Sequence, residues 1–269
     1  MFDNYLTRWG LERDGDPIVT ASSRLLPVRR DGVRAILKIA LEQEEKSGAQ
    51  LMVWWDGEGA ARVLARDDDA LLLERAEDST SLIDLVYTGR DDEASRIICA
   101  VVAKIHALKA KPLPELIPLS RWFRALEPAA EKHGGILLKS AATARQLIAA
   151  PEDIVALHGD IHHGNILHFG QRGWLVIDPK GLIGERGFDY ANLFCNPDST
   201  MAKDPRRFEQ RLRIVGKTAG LQRCRLLQWI LAWAGLSAAW LLGEHQQFKN
   251  VLAIAEMALA ALIETDSPR

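Results

Sequence analysis

The stretch "LHGDIHHGNILHFGQRGWLVIDPKG" (residues 157–181) joins a polar loop to a strand-like segment. Two short apolar runs, 166–169 and 174–178, flank "GQRG" and therefore predict an antiparallel hairpin. A turn centred between residues 171 and 172 would place Asn165 opposite Asp178 at the open end of the hairpin. Oxygen ligands brought together in this way suit Mg²⁺, particularly when nucleotide phosphates complete its coordination.

The loop before the hairpin adds a third oxygen-bearing residue, Asp160. The set Asp160, Asn165 and Asp178 is typical of phosphoryl transfer. In that chemistry one carboxylate orients the acceptor hydroxyl and takes its proton, while an Asn and an Asp hold metal ions that neutralise the phosphates. Lys38, inside the apolar run "AILKIA", could supply a cation, since a lysine there needs a partner for its head group. The alternative for Lys38 is an edge-strand lysine that faces solvent.

The histidines of the loop allow a second interpretation, a dinuclear metallophosphoesterase site made by His158, Asp160, His162 and His163. Such sites need further ligands from several strand ends, and no other histidine stands in a recognisable ligand motif. We therefore favour a structural role for His158, which would hydrogen-bond the loop backbone. His162 and His163 are then loop residues, one of which could face a substrate.

The first 75 or so residues are predicted to be rich in strands. Asp31-Gly32 in "RRDGV" is a hairpin turn signal, and a second hairpin is predicted to turn at the acidic run 67–69. Between them, "EQEEKSGAQLMVWW" (residues 42–55) predicts a helix with acidic residues in its first turns.

Beyond residue 76 the pattern becomes helical. Helices are predicted across 91–108, 121–150 and 205–264. Residues 226–243 contain no charged residue and just reach membrane-spanning length, but a tryptophan stripe and several polar or small residues favour a buried helix. The simplest architecture is α+β, with a small antiparallel β-rich N-terminal lobe (1–76) and a large, mostly helical C-terminal lobe (77–269).

Composition narrows the functional classes. The net charge of −2 gives no electrostatic case for a nucleic-acid partner. Three scattered cysteines without a CxxC pair argue against a disulfide framework or a thiolate zinc site and fit a reducing compartment. The charged N-terminus does not resemble a secretory signal. We therefore expect a cytoplasmic monomer that binds neither nucleic acid nor membrane.

At this point the residues resemble a known family. "HGDIHHGN" is similar to the catalytic loop of the aminoglycoside phosphotransferases, and "VIDPKG" is similar to their metal-binding strand end. The closer resemblance is to the branch of streptomycin 6-kinases and hydroxyurea phosphotransferases. It rests on "WWDGEGAARVLA", "LLLERA", "RGWLVIDPKGLIGERGFDYANLFCNP" and "GLSAAW", and it extends from about Trp9 to past Trp240. The resemblance implies a two-lobed protein-kinase-like fold.

The resemblance also implies a role for each residue of the centre. Asp160 would be the catalytic base, and Asn165 and Asp178 would bind Mg²⁺. Lys38 would pair with the phosphates of ATP, positioned by an ion pair with Glu45 on the following helix. Periodicity alone leaves Glu44 as an alternative to Glu45.

The remaining implied roles concern nucleotide binding and support of the loop. The adenine would hydrogen-bond to backbone atoms near Glu74 and Ala76, where the lobes join. The phosphate-covering loop would lie near Ser22 and Ser23, which stand where protein kinases carry glycines. Asp189 resembles the aspartate that braces the catalytic loop, and a simple helix cap is its alternative.

The implied reaction is transfer of the γ-phosphoryl group of ATP to the 6-hydroxyl of streptomycin. Because such an acceptor is cationic, we expect acidic side chains and tryptophan faces near the cleft, with Glu185 and His163 as candidate contacts. The alternative acceptors are hydroxyurea and another small hydroxylated metabolite, because a fold alone does not define a substrate. A pseudokinase, which binds a nucleotide without turnover, is a further alternative.

Overall fold

The structure is a computed structural model that describes residues 1–77, 80–108, 112–242 and 245–266. Its N-terminal part is a six-stranded sheet in the order β1-β3-β4-β6-β5, with β2 paired to β3. All pairings in this sheet are antiparallel. The strands are β1 (Leu11–Arg13), β2 (Ile18–Val19), β3 (Ser23–Arg30), β4 (Val33–Ala40), β5 (Val63–Arg66) and β6 (Ala70–Glu74).

Both predicted hairpins of this sheet are confirmed. β3 and β4 are joined by Asp31 (φ 51°) and Gly32 (φ 77°), as a two-residue turn with two positive φ angles requires. β5 and β6 are joined across the acidic run 67–69. Alternate residues of β3 and β4 are buried, so one face of the sheet forms a core.

Two helices accompany the N-terminal sheet. α1 (Phe2–Trp9), which the sequence analysis did not predict, packs apolar side chains on the sheet core. α2 (Gln43–Trp55) confirms the predicted helix. Leu51, Met52 and Trp55 of α2 belong to the large hydrophobic core of the C-terminal lobe, so this helix bridges the two lobes.

The C-terminal lobe is mostly helical, as predicted. The helix Arg223–Trp240 covers most of the uncharged stretch 226–243, and twelve of its residues are buried. Among the described residues, no helix has both the length and the apolar character needed to cross a membrane. The helices are α3 (Leu82–Tyr87), α4 (Asp91–His106), α5 (Leu119–Trp122), α6 (Leu126–His133), α7 (Ile136–Ala149), α8 (Ser199–Ala202), α9 (Pro205–Ala219), α10 (Arg223–Trp240) and α11 (His245–Asp266).

The C-terminal lobe also contains strands that place the polar loop. β7 (Ile117–Pro118), β8 (Ile154–Leu157) and β11 (Leu182–Glu185) form a small sheet, which the sequence analysis missed because these runs are only two to four residues long. The predicted hairpin is confirmed as β9 (Ile166–His168) and β10 (Trp174–Val176). The polar loop therefore starts where β8 ends and leads into β9.

The predicted register of the β9–β10 hairpin is wrong by one residue. Trp174 pairs with His168, so the turn is centred on Gln171 rather than between Gln171 and Arg172. The reason is a three-residue 3₁₀ turn, closed by a hydrogen bond from the Phe169 N–H to the Gly173 carbonyl. The residue opposite Asn165 is consequently Ile177, whose N–H donates to the Asn165 carbonyl at 2.9 Å.

Backbone hydrogen bonds tie this hairpin to the N-terminal lobe. The N–H of Ala61 donates to Val176, and the N–H of Val176 donates to Gly59. The N–H of Glu77 donates to the His168 carbonyl at 2.9 Å. The hairpin is thus hydrogen-bonded to residues 59–61 and to residue 77. The predicted boundary between the two lobes near residue 76 stays a prediction.

Candidate active site

The polar loop after β8 is held from below by one buried carboxylate. Asp189 accepts hydrogen bonds from the N–H groups of His158 (2.9 Å) and Gly159 (2.7 Å), and it contacts His106 Nε2 at 2.8 Å. Asp189 itself is 1% exposed. Such a buried acceptor with three partners fixes the start of the loop, because leaving any donor unpaired there would cost free energy.

His158 fixes the loop from within. Its Nε2 donates to the carbonyl of Ile177 at 2.8 Å, and its Nδ1 accepts from the N–H of Asp160 at 3.2 Å. The ring stacks on Trp55 of α2 with 6.2 Å between ring centroids. Burial lowers the pKa of His158, so the ring is neutral and makes both bonds in one tautomer. His158 thus links β10, the loop and α2.

Asp160 is the partly exposed carboxylate at the tip of this arrangement. Its Oδ1 accepts from Asn192 Nδ2 at 2.8 Å, and its Oδ2 lies 3.3 Å from Asn165 Nδ2. His162 Nε2 stands 3.9 Å from Oδ2. The two amides hold the plane of the carboxylate without neutralising its charge. Sequence reasoning missed Asn192, which lies 32 residues further along the chain.

A second cluster of charged groups includes a lysine of the N-terminal lobe. Lys38 on β4 contacts both Glu45 of α2 and Asp178, and its side chain is only 11% exposed. Ser22 Oγ donates to Glu45 Oε1 at 2.8 Å. Burial would raise the pKa of Asp178, but the neighbouring cations Lys38 and Lys180 outweigh it, and the pKa is lowered. Asp178 is therefore ionised at neutral pH.

Sequence reasoning also missed Lys180, although it stands in the quoted "VIDPKG". Its Nζ donates to Glu45 Oε1 at 3.2 Å, and its backbone N–H donates to the His158 carbonyl at 2.6 Å. Burial would lower the pKa of Lys180, yet Asp178 and Glu45 raise it overall. The signal that could have identified this residue is a lysine two positions after the aspartate that the sequence predicts to bind a metal.

Two glycines allow the loop after Asp178 to lie directly on α2. A Cβ atom at Gly48 would collide with the carbonyl oxygen of Pro179. A Cβ at Gly181, whose φ is +69°, would lie 2.6 Å from the carbonyl oxygen of Ser47. Backbone atoms cannot give way as a side chain can, so both positions need glycine for this contact. Residues 178–181 are therefore packed between α2 and the polar loop.

The residues expected to bind a metal lie in this centre but do not pair across the hairpin. Asn165 Nδ2 donates to the Asp160 carbonyl at 2.9 Å, so Oδ1, the atom able to coordinate a cation, points away from that carbonyl. Asp178 has a φ of 60°, which turns its carboxylate towards Lys38. Within the described ranges, no group of three or more His, Cys, Asp or Glu side chains could bind a metal by itself.

The residues expected near the nucleotide base and phosphates have clear structural partners. The Glu74 carboxylate accepts from the Arg62 N–H at 2.6 Å and contacts Arg172. Ala76, half-buried, packs against the C-terminal core at the junction of the lobes. Ser22 lies in the turn before β3, where its carbonyl accepts from the N–H of Leu41 at 2.9 Å. The adjacent Ser23 is buried against Thr20.

A cavity of about 480 Å³ opens beside Asp160 in the C-terminal lobe. Its wall contains the indole rings of Trp122, Trp233 and Trp240, which α5 and α10 contribute. Trp122 and Trp240 meet edge to face with 5.5 Å between ring centroids. Of the acidic side chains expected near the cleft, Asp160 lines the wall; the other residues that line it are Arg121, Arg124, Ala125, Gly159 and Lys180.

Glu185, predicted to contact an acceptor, does not line the cavity beside Asp160. Its carboxylate is 2% exposed and binds Arg225 and the Trp229 indole N–H, the latter at 2.6 Å. It also accepts from the N–H of Glu152 at 3.0 Å. Burial would raise the pKa of Glu185, but these donors outweigh it and lower the pKa. Glu185 therefore anchors α10 and does not line the cavity beside Asp160.

His163, the other predicted acceptor contact, does not line this cavity either. Its side chain is buried behind the loop, with Nε2 3.5 Å from the buried Arg211. Burial and the nearby Arg211 and Arg207 lower the pKa of His163 to about 2. Of the two adjacent histidines, His162 is the one whose ring lies beside Asp160 on the open side.

Comparisons with known proteins identify the family of this chain. The profile of the aminoglycoside/hydroxyurea antibiotic resistance kinase family matches residues 8–244. The chain is 50% identical over 262 residues to a streptomycin 3''-kinase of Klebsiella pneumoniae, covering 96% of this chain and 98% of that protein. It is 32% identical over 244 residues to a streptomycin 6-kinase of Streptomyces griseus, covering 84% and 76%.

The fold is similar to that of solved kinases. An aminoglycoside phosphotransferase in ternary complex with AMP-PNP and hygromycin B superposes with a TM-score of 0.67 at 15% identity, covering 98% of each chain. The predicted two-lobed kinase-like fold is therefore confirmed.

Proposed function

Because this chain belongs to the aminoglycoside/hydroxyurea antibiotic resistance kinases, we propose that it transfers the γ-phosphoryl group of ATP to a hydroxyl of streptomycin. The position of Asp160 carries this proposal. Its carboxylate lines the tryptophan-walled cavity beside Lys180, which in turn contacts Glu45 of the Lys38–Glu45 pair. Transfer requires the acceptor hydroxyl and the γ-phosphate to approach within about 3–3.5 Å. Asp160 and Lys180 lie where the acceptor cavity meets the proposed phosphate site.

The charges of the centre fit a metal-bound polyphosphate. Two lysines, Lys38 and Lys180, face the three carboxylates of Glu45, Asp160 and Asp178. Carboxylates in excess would repel a polyphosphate unless a divalent cation lay between them. Asp178 and Asn165 offer the hard oxygen atoms that Mg²⁺ prefers, and Mg²⁺ would neutralise charge on the phosphates. Lys38 would bind the phosphates, with Glu45 as its positioning partner.

The remaining nucleotide contacts follow from the same arrangement. The backbone near Glu74 and Ala76 would hydrogen-bond the adenine, since it runs along the junction of the lobes. Ser22 and Ser23 would lie over the phosphates, and Ser22 already binds Glu45. Their small side chains permit close approach of the backbone to the nucleotide.

Asp160 would act as the general base. Asn192 and Asn165 orient its carboxylate, and His158 fixes its backbone N–H. Asp189 holds the loop that carries it. With the carboxylate fixed in this way, Asp160 can align the acceptor hydroxyl for attack and accept its proton, a contribution of about 10²–10⁴-fold in rate.

The acceptor would occupy the tryptophan-walled cavity. A cationic acceptor gains from the negative faces of indole rings, by about 0.5–2 kcal/mol per contact. Arg121 and Arg124 on the same wall disfavour a cation close to them. The arginine part of the wall repels cationic groups and the tryptophan part attracts them. We therefore propose that the cationic groups of the acceptor lie against Trp122, Trp233 and Trp240.

Two hydroxyls of streptomycin are candidates. The 50% identity to a 3''-kinase over nearly the whole of both chains favours the 3''-hydroxyl. The 6-hydroxyl, which the sequence analysis predicted, is supported by relatives at 32% identity that are named 6-kinases. We propose the 3''-hydroxyl as the principal acceptor because the higher identity also extends over a larger share of this chain, 96% against 84%.

The test is a coupled assay of ADP release with Mg-ATP and streptomycin, followed by phosphorus-proton correlation spectra of the product. We expect saturable, streptomycin-dependent release and a phosphate on the 3''-oxygen. A phosphate on the 6-oxygen would restore the sequence-based prediction. Release with hydroxyurea or a simple sugar but not with streptomycin would reject the acceptor and keep the kinase. Nucleotide binding without release for any acceptor would favour the pseudokinase. Sedimentation of the same sample tests the proposal that the protein is a monomer.

A further inference from the structure

Lys180 lies between the acceptor cavity and the Lys38–Glu45 pair. Its side chain lines the acceptor cavity together with Asp160, and its Nζ donates to Glu45 Oε1 at 3.2 Å. The other carboxylate oxygen of Glu45, Oε2, binds Lys38, which is not among the residues that line this cavity. Glu45 therefore holds two lysines, and Lys180 is the one that reaches the acceptor side.

The base of the Lys180 side chain is fixed while its tip can move. The N–H of Lys180 donates to the His158 carbonyl at 2.6 Å. A Cβ on Gly159 would lie 3.0 Å from the Lys180 Cβ, so the backbones of these residues are in close contact. The ammonium group ends a flexible four-carbon stem. It can therefore move from Glu45 towards Asp160 without any movement of the backbone.

Glu45 does not depend on Lys180 for its own partners. Its Oε1 also accepts from Ser22 Oγ at 2.8 Å, and its Oε2 keeps Lys38. When Lys180 leaves Glu45, both carboxylate oxygens still have a donor. Loss of the Lys180 contact thus leaves both oxygens of Glu45 paired. Loss of the Lys38 contact would instead leave Glu45 Oε2 without its cation.

The geometry points to Lys180 as a catalytic residue that binds the phosphoryl group while it passes from ATP to the acceptor, an inference that rests on the proposed phosphotransfer. The acceptor oxygen forms a bond to the γ-phosphorus as the bond from that phosphorus to the β,γ-bridging oxygen breaks, and its electron pair stays on ADP. The acceptor proton passes to Asp160. Lys180 donates hydrogen bonds to the oxygens of the transferring group and keeps its own proton.

The test compares Lys180→Met with Lys180→Arg. Three quantities are measured for each variant: kcat, the Kd of Mg-ATP by calorimetry, and the Kd of Mg-ADP with aluminium fluoride, which mimics the planar phosphoryl group. For Lys180→Met we expect kcat to fall about 10²–10³-fold, as for loss of another transition-state donor. The Kd of Mg-ATP stays unchanged, and the Kd of the mimic rises. Lys180→Arg, which retains the charge, recovers part of both losses.

A neighbouring lysine supplies the matched control. Lys46 follows Glu45 on α2, but its ammonium group pairs with Asp69 at the second hairpin turn. Lys46→Met removes the same type of side chain from the same region and should leave all three quantities unchanged.

Three results would overturn the inference. A rise in the Kd of Mg-ATP as large as the rise in the Kd of the mimic would mean that Lys180 only supports nucleotide binding through Glu45. Unchanged affinity for the mimic, or a kcat near that of the wild type, would remove Lys180 from the transfer. If Lys180→Met does not fold, Lys180→Gln provides the same measurements, and thermal melting verifies the fold of each variant.

Failure of the proposed acceptor can be told apart from failure of this inference. If the wild type releases no ADP with streptomycin, the acceptor proposal fails. Slow hydrolysis of ATP, with water as the acceptor, and binding of the aluminium fluoride complex still report on Lys180. In that case a Lys180→Met variant with wild-type hydrolysis and wild-type affinity for the mimic would reject its catalytic role.

Discussion

The two sides of the centre are built by different means. On the side expected to bind the nucleotide, Lys38 of β4 contacts both Glu45 of α2 and Asp178 of the loop after β10. On the acceptor side, Trp122 and Trp240 are 118 positions apart in the chain and meet only through the packing of α5 and α10. Charge pairing fixes the first side, whereas the fold of the helical lobe fixes the second.

This difference has a functional consequence. The charged nucleotide side suits a ligand of constant charge. The shape of the acceptor side can change through substitution of its tryptophans, which do not contact Lys38, Glu45 or Asp178. A substitution on one side should therefore leave binding on the other side intact. Each of the following predictions tests that separation or its limits.

The largest effect is expected at Asp160, which stands between the two sides. Asp160→Asn keeps the shape of the side chain but removes the base, so we expect kcat to fall about 10²–10⁴-fold. The Kd values of Mg-ATP and of streptomycin, each measured by calorimetry, should change little. Near-normal phosphorylation by this variant would remove Asp160 from its role.

The next effect is expected at Asp178, on the nucleotide side alone. Asp178→Ala removes an oxygen ligand, so Mg-ATP should bind at least about tenfold more weakly, the lower limit for loss of a group that tunes metal affinity. Nucleotide binding in the presence of a chelator should change less, and streptomycin binding should not change. Equal weakening with and without Mg²⁺ would identify Asp178 as a structural carboxylate.

Acid should affect both sides together, because both depend on the catalytic loop. The unfolded chain takes up a proton on His163 near pH 6.5, whereas folded His163 does so only near pH 2. Because the folded pKa is depressed, stability is lost as the pH falls below 6.5. This group alone should lower the free energy of unfolding by about 2 kcal/mol between pH 7.5 and pH 5.

The matched variant for this prediction is His163→Asn. Urea unfolding of the wild type and of the variant at both pH values should show a smaller loss in the variant, by about the same 2 kcal/mol. Parallel losses would mean that the pKa of His163 in the folded protein is close to its pKa in the unfolded chain.

The smallest effect is expected on the acceptor side. Trp240 is about half exposed, so Trp240→Ala should fold normally and lose one cation–π contact of about 1 kcal/mol. We expect the Kd of streptomycin to rise about fivefold and that of Mg-ATP to stay the same. An equal change in both constants would show that the two sides are coupled after all.

The same difference explains what could be predicted from the sequence. The order of Asp160, Asn165 and Asp178 could be interpreted because the loop and hairpin that carry them are continuous in the chain. Lys38 could be identified because a lysine in an apolar strand requires a partner. The register error arose because "GQRG" does not reveal whether a turn has two or three residues, and one residue shifts every pair.

The acceptor side could not be predicted in the same way. Trp229, Trp233 and Trp240 formed one stripe in the sequence, but Trp229 lies against Glu185 in the core while the other two line the cavity. A helix that is apolar on all sides has no periodic pattern that would show which residues line a cavity and which lie in the core. The burial of Glu185 could not be predicted for the same reason, since its partner Arg225 is 40 residues away in the chain.

The contact between Gly48 and Pro179 has a consequence for regulation. Protein kinases are controlled by moving the helix that carries the glutamate of the ion pair. Here the backbone of that helix rests on the loop after Asp178 at a point where no side chain fits, and the lysine–glutamate pair is formed. A swing of the helix would break a backbone contact that spans both lobes. We therefore expect the Lys38–Glu45 pair to stay formed without a separate activation step.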